Sequence, residues 1–419
     1  MSIKLLRELL LRADLMRGVI LAAGPGEALK PITESVSKPM IQILDKPLIR
    51  FAIDRLLHSG IKEICIVTEK EAVALKEYIQ SIKELADFSF RTQVESGIEG
   101  AIKAVSDLFS EDEQFVLTHA DIVSNNNLVT RTLNAADNSG AEMALAVALQ
   151  TEAQDFGQVK LDSNGYVSEV IPDTNIESSS YVVAGTFLLT GKIFNYLGQG
   201  FAFNECFNRY IADGGEVAGG IWNETWIDVG HPWDILRATS YLLSKLDFSR
   251  ISAKAKIGPN VEIIGPVVIE EDAEILNGTI IKGPVYVGKG AFIGNNSLVR
   301  DHTAIYNSAK VGMGVEIRSS IIMANSSIAR LSYVGASIVG PGAVLHSGSI
   351  TINTNSPPSP IYIEIDGKKI LIPLEKFGAV IGPGCHIGVH SSLRPGTIVG
   401  ANVIIEPHQI ISGRIQSKE

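Results

Sequence analysis

The sequence predicts an α/β domain of the doubly wound type, followed by a left-handed parallel β-helix. Three observations carry this expectation. From Val19 to about Asp121, short apolar runs alternate with segments of helical apolar spacing. The first run, Val19-Ile20-Leu21-Ala22-Ala23, stops at Gly24-Pro25-Gly26. From Ile257 onward a branched apolar residue returns at every sixth position. Strands that alternate with helices build a parallel sheet covered on both faces. Ligands of such sheets sit at the carboxyl ends of the strands. A six-residue period gives one short strand per side of a triangular coil, and stacked coils bury what one coil cannot.

Taken in order, residues 1–17 read as an N-terminal extension. Leu5, Leu6, Leu9 and Leu10 can share a helix face, but Lys4, Arg7, Glu8, Arg12 and Asp14 interrupt the run. Those charges argue against a membrane span or a secretory segment. The stretch is either an added helix or the result of a start upstream of Met16. The first domain is expected over 18–247. It opens on a strand with no polar face, buried on both sides. A helix follows over Pro47 to His58, a strand over Ile61 to Thr68, and a helix over Ala72 to Leu85. A weaker strand ends near Gln93, a helix runs from Gly97 to Phe109, and a strand from Phe115 ends on the carboxylate of Asp121. Beyond it come a strand over Glu142 to Leu149 and a hairpin over Gln158 to Ile171 that turns at Ser163-Asn164-Gly165. A strand over Tyr181 to Leu189 and a helix over Asn204 to Ala212 follow. Trp226-Ile227-Asp228-Val229-Gly230 leads into a helix ending near Leu246.

After a linker at 248–256, the β-helix is expected over 257–413, with a tail at 414–419. Its inward positions are Ile257, Ile263, Ile269, Ile275, Ile281, Val287, Ile293, Val299, Ile305, Val311 and Ile317. The register slips once near Met323, resumes at Ile328 and Val334, and returns from Ile381 to Ile411. An insertion at 354–373 holds Pro357, Pro358 and Pro360 and two apolar runs around Asp366-Gly367, a hairpin signal. Having no partner within its own coil, the hairpin is expected to pack on a neighbouring subunit.

Composition bounds the function. A chain of 419 residues with 45% hydrophobic content supports two cored domains. A net charge of −10 leaves no basic stripe for nucleic acid. Cys65, Cys206 and Cys385 are too scattered for a metal site or a disulfide framework, which fits a reducing cytoplasm. The backbone N–H groups of a glycine loop can cradle phosphate. Asp121 and Asp228 are hard oxygen ligands of the kind magnesium takes in ones or twos; on residue type alone they are equally caps or surface aspartates.

The longer string is more specific. Leu21-Ala22-Ala23-Gly24-Pro25-Gly26, Pro31-Ile32-Thr33 and Lys38-Pro39-Met40 resemble the LAAGxGxRxxPxT…KP signature of the sugar-1-phosphate nucleotidylyltransferases. The resemblance implies the reaction of a nucleoside triphosphate with a sugar 1-phosphate to give a nucleoside-diphosphate sugar and diphosphate. It implies magnesium held by Asp121 and Asp228, and a phosphate contact from Lys38. It places nucleotide at Leu21, Ala22, Ala23, Gly24, Gly26, Gln93 and Gly97, and sugar at Gly157 and Gly185. Several signature residues differ. Ala28 stands where the family has the arginine that clamps the triphosphate. Ile98 replaces a threonine, Pro172-Asp173-Thr174 replaces Glu-Lys-Pro, Val183 an asparagine, and Phe203 a sugar-contacting glutamate.

The repeats resemble the acyltransferase half of archaeal bifunctional enzymes that make UDP-N-acetylglucosamine, through Ser320-Ile321-Ile322-Met323 and Ile328-Ala329-Arg330-Leu331-Ser332-Tyr333-Val334-Gly335. Tyr333, Asn353 and Lys376 are retained, but Arg330 stands where that family has its histidine base. Arginine stays protonated and cannot take a proton, so use of acetyl-CoA is not expected. The expectation is a family member with impaired catalysis that binds nucleotide or sugar nucleotide as a regulatory or structural subunit. It would be a homotrimer, or would pair with a catalytic homologue. The alternatives are an active enzyme with rearranged site residues and a trimeric β-helix scaffold that recruits a partner.

Overall fold

The computed structural model describes residues 16–93, 95–150, 157–171, 180–365 and 368–416. The expectation for residues 1–15 lies outside them, as do Pro172-Asp173-Thr174 and the Asp366-Gly367 turn. Two compact units emerge. The first takes the described residues up to Pro25, Lys38–Met40 and Pro47–Asp228; the second takes Gly26–Ser37, Ile41–Lys46 and everything from Val229.

In the first unit, β1 (Arg17–Leu21) is central because its residues face protein on both sides: Val19 and Ile20 are fully buried. Helix α1 (Leu48–His58) packs Ile49, Ala52, Ile53 and Leu56 beneath it, positions that share a face at helical spacing. Next come β2 (Glu63–Thr68), α2 (Val73–Ser81), β3 (Asp87–Thr92), α3 (Ile98–Lys103) and β4 (Gln114–His119). β3, β2, β1 and β4 are neighbours in that order and all parallel. A short β5 (Ile122–Ser124), α4 (Leu128–Ser139) and β6 (Met143–Gln150) follow. β7 (Gln158–Leu161) and β8 (Val167–Ile171) form the expected hairpin. β9 (Ser180–Thr190) runs antiparallel to β6 on one side and to β4 and then β7 on the other.

Two short helices, α5 (Ile193–Gly198) and α6 (Phe203–Ala212), precede β10 (Val217–Trp222), which pairs with β6. β11 (Trp226–Asp228) pairs with β5, with Asp228 opposite Ile122. The sheet is therefore mixed: β3, β2, β1 and β4 are parallel, β9 is antiparallel to its neighbours, and β10 is parallel to β6. Two helices are shorter than their sequence pattern: α2 yields to a 3-10 turn at Lys83–Leu85, and α3 to one at Ser106–Leu108.

The second unit opens its main run with α7 (Pro232–Ser244). Pro232 stands at its first turn, and His231 and Asp234 close a reciprocal cap. The rest is a left-handed β-helix of three parallel sheets of two- and three-residue strands. Ile275 stacks on Ile293 and Ile293 on Val311, so each strand pairs with its counterpart one coil on. The stacked branched residues form one continuous core from Val267 to Ile411. Ile257 departs from the expectation. It is 40% exposed because its coil has a neighbour on one side only.

The hexapeptide shortens twice, not once. Ile317 to Ile322 and Val334 to Val339 are each five positions apart, and both pass through corners with positive φ, at Ser319 and Ala336. The inserted hairpin pairs Tyr362–Ile365 with Lys368–Leu371. It does not wait for a neighbour to cover it. Ile361, Ile363 and Ile372 are buried within the chain, and the strand passes so close to Gly396 that a Cβ there would meet Tyr362 O at 2.5 Å. Tyr362 and Leu371 face outward.

Candidate functional site

The parallel half of the sheet decides where the site lies. Leu21 ends β1 between Val67 of β2 and His119 of β4. The Ala22 N–H donates to Val67 O and the Ala120 N–H to Leu21 O, so the chain leaves all three strands at one end. There a cavity of about 480 Å³ opens, lined by Leu21, Ala23, Gly24, Gln93, Gly97, His119 and Asp121, with Glu69 and Lys70 at its wall. A Cβ built on Gly24 meets nothing within 4 Å, so the backbone there faces open space. Gly97 has φ +93, the left-handed region that favours glycine, and turns the chain into α3. The Gln93 side-chain amide donates to Gly97 O at 2.9 Å, fixing that loop.

Asp121 sits in the two-residue link between β4 and β5. Lys38, on a 3-10 turn at Lys38–Met40, forms an ion pair with Asp121 Oδ2. The other oxygen, Oδ1, is enclosed and accepts no hydrogen bond. Burial works to raise the Asp121 pKa; Lys38 and then His119 outweigh it and hold the carboxyl below its ordinary range. Asp228 Oδ1 is also enclosed, and its residue pairs with Ile122, one position past Asp121. Two half-buried carboxylates, with a covered and unsatisfied oxygen on Asp121, fit a small hard cation that keeps most of its waters. Among the described residues no group of three or more His, Cys, Asp or Glu side chains is placed to hold a metal, so a protein-only cage is absent there.

The sugar-side glycines occupy another part of the same unit. Gly157 O accepts from the Val183 N–H at 2.9 Å, and a Cβ on Gly157 would meet Asn204 Nδ2 at 2.5 Å. Gly185 has φ +63, and a Cβ there would meet Ile122 Cδ1 at 2.4 Å and the His119 ring at 3.3 Å. Val183 and Phe203 are core residues, 8% and 2% exposed. Phe203 packs edge-on against Phe187 and Phe207, so this position is built into hydrophobic packing. Gly26 and Ala28 belong to the second unit. Gly26 (φ 68) precedes a turn at Glu27–Leu29, closed by Thr33 Oγ1 donating to Gly26 O. Lys30 does not replace an arginine at 28: its amine pairs with Glu27 at 2.6 Å.

In the β-helix, Tyr333 and Asn353 are brought together, with Asn353 Nδ2 at 3.5 Å from the Tyr333 hydroxyl. Both lie over Gly335, where a Cβ would meet the hydroxyl at 2.6 Å. Lys376 is exposed and precedes Phe377, whose N–H donates to Asn353 O. Arg330 is exposed too.

The sequence reading passed over three residues. His119 lines the cavity with an enclosed, unpartnered Nε2, and burial holds its imidazole below the ordinary pKa against the pull of Asp121. Its signal was present: it ends the strand that leads to Asp121, at the carboxyl end where ligands of such sheets sit. Lys70 borders the cavity, and Arg55 lies behind it, fully buried.

The nucleotidyl transferase family model matches residues 17–245, and that of the GMPPB C-terminal domain matches residues 281–355. A bifunctional sugar-1-phosphate nucleotidylyltransferase/acetyltransferase from Sulfurisphaera tokodaii is 32% identical over 95% of this chain and 97% of its own. The bifunctional protein GlmU of Methanococcus maripaludis strain C7 is 34% identical over 96% of both chains. A crystal structure from Bacillus anthracis, described as a glucose-1-phosphate thymidylyltransferase, aligns with TM-score 0.50 at 24% identity, covering 56% of this chain and 98% of that one. That likeness is one of fold. Among the described residues no helix is long and apolar enough to cross a membrane. With one family model spanning more than half of the chain and relatives aligned along nearly all of it, the chain belongs to the sugar-1-phosphate nucleotidylyltransferase family.

Proposed function

We propose that the chain binds a nucleotide or nucleoside-diphosphate sugar with magnesium at the β1–β4 cavity, while its own nucleotidyl transfer is weak or absent. What supports this is the cavity of the first unit, set beside a sequence in which the family resemblance puts the triphosphate-clamping arginine at Ala28. Gly24, Gln93 and Gly97 line the cavity with Asp121. Lys38 is already held at Asp121, where it can orient a phosphate. Magnesium bound by Asp121 and Asp228 would neutralise charge on the triphosphate. The residue that should clamp the triphosphate is alanine. Such a protein suits a regulatory or structural role beside a catalytic homologue.

Calorimetry with UTP, dTTP and GTP in the presence of magnesium, beside a pyrophosphate-release assay with sugar 1-phosphates, tests this reading. Binding of at least one nucleotide with release at background is the expected result. Absence of all binding would favour the scaffold reading. Family-typical turnover by the chain alone would favour an active enzyme with a rearranged site. One observation speaks for that second reading: Lys70 lines the same cavity as Gly24 and Pro25. On that reading Lys70→Ala abolishes turnover; on ours there is little to abolish.

We also propose assembly through the β-helix as a trimer or a multiple of one. Its support is the long run of stacked coils together with apolar side chains left outward, Ile350, Ile352, Tyr362 and Leu371. Multi-angle light scattering is expected to give three times the 45.0 kDa chain mass. A stable monomer at micromolar concentration would overturn the proposal.

A further inference from the structure

Arg55 is the largest buried charge in the first unit that the site description leaves without a role. It lies on α1 with no exposed surface. Its Nη1 donates to Ile122 O at 2.6 Å, and its Nη2 donates to His119 O at 3.1 Å and to Thr118 Oγ1 at 3.2 Å. Thr118 Oγ1 is in turn 3.0 Å from Thr186 Oγ1 on β9. The three acceptors are neutral. Nearby charge comes from the carboxylates of Asp121 and Asp54, which favour the cation against the burial that pulls its pKa down to about 10.

Full burial of a guanidinium is rare, and an apolar side chain of the same size would usually fill such a place at lower cost. The acceptors explain why this one is an arginine. They come from residues 118, 119 and 122, so they grip both ends of the Ala120-Asp121 link. A planar fork of donors spans three acceptors, which a single ammonium cannot do.

We propose that Arg55 is the positioning residue for Asp121: it fixes the link between β4 and β5, and with it the Asp121 carboxylate that lines the cavity, for a divalent cation. Partners that orient metal ligands in this way change metal affinity by about 10–100-fold when removed. The inference rests on the reading of Asp121 as a cation ligand and adds what holds that ligand in place.

The test is a titration of the full chain with manganese chloride, followed by loss of the free Mn²⁺ signal in electron paramagnetic resonance. The difference between wild type and Asp121→Asn defines the site. Arg55→Met, assayed well below its melting temperature, is expected to weaken Mn²⁺ binding by about 10–100-fold. Arg55→Lys keeps the charge but not the fork, and is expected to recover little of the loss. Thr118→Val removes one acceptor with little change of shape and is expected to weaken binding by about five-fold, the worth of one hydrogen bond. Unchanged affinity in folded Arg55→Met overturns the proposal, and full recovery by Arg55→Lys overturns the fork. If Arg55→Met does not fold, unchanged affinity in Thr118→Val overturns it. If wild type and Asp121→Asn bind alike, the cation reading itself falls and takes this proposal with it, which separates the two failures.

Discussion

Ala28→Arg combined with Asp173→Lys is expected to raise pyrophosphate release by about 10³-fold, while nucleotide affinity changes by less than about ten-fold. The reason is where charge develops. Cations placed on a transferring phosphoryl group act mostly on the transition state, and arginines in that role are worth about 10³–10⁵ in rate. Residue 28 lies in the turn at Glu27–Leu29, and the cation two positions on is already engaged by Glu27. Asp173 is the residue that the family resemblance aligns with the lysine of the sugar phosphate, with the opposite charge. Each substitution alone is expected to give a smaller gain, since one phosphate stays unclamped. Val183 and Phe203 limit the ceiling because both are part of the core and neither can be reverted without repacking it. The measurement is kcat from pyrophosphate release beside Kd from calorimetry, for wild type, the two single variants and the double. A double variant that binds ten-fold tighter yet turns over no faster would show that residues 28 and 173 do not limit chemistry.

How much of this was legible in the sequence depends on whether a residue's neighbours are local. The β-helix was, because each coil repeats one local rule and the inward residues stay branched from Ile263 to Ile411. The second five-residue step was not, since Val334 and Val339 remain apolar on either side of it. β10 was missed because Gly219 and Gly220 lower its strand propensity. Those glycines are needed by partners far away in sequence: a Cβ on Gly219 would meet Leu161 Cδ2 at 2.6 Å, and one on Gly220 would meet Thr132 Cα at 3.2 Å. Phe203 looked like a lost sugar contact by position, whereas the aromatic cluster with Phe187 and Phe207 shows it as core. Arg55 could have been noticed. It falls three and four positions after Ala52 and Phe51, on the apolar stripe of α1, and a charge on that stripe asks for a buried partner. Which partner it has depends on β4 and β5, more than sixty residues on, and no local pattern gives that.

Acetyl transfer from acetyl-CoA to glucosamine 1-phosphate is expected at background for the wild-type chain, and Arg330→His is expected to raise it by about 10²–10⁴-fold, the usual worth of a general base. Position 330 carries a guanidinium that stays protonated, so it cannot take the proton from an attacking amine. The frame around it is ordered. The Gly348 N–H donates to Arg330 O at 3.1 Å, which sets the backbone of that corner, and the Tyr333–Asn353 pair stands one strand away. An imidazole restored at 330 would therefore start from a fixed backbone. Its neighbour Leu331 is 66% exposed, so solvent is close by. A gain that falls away below about pH 6.5 would mark the imidazole as the base. If wild type already turns over near about 1 s⁻¹, within the range of ordinary enzymes, a base other than residue 330 is at work. If Arg330→His stays at background although acetyl-CoA binds, the missing histidine is not what silences this half.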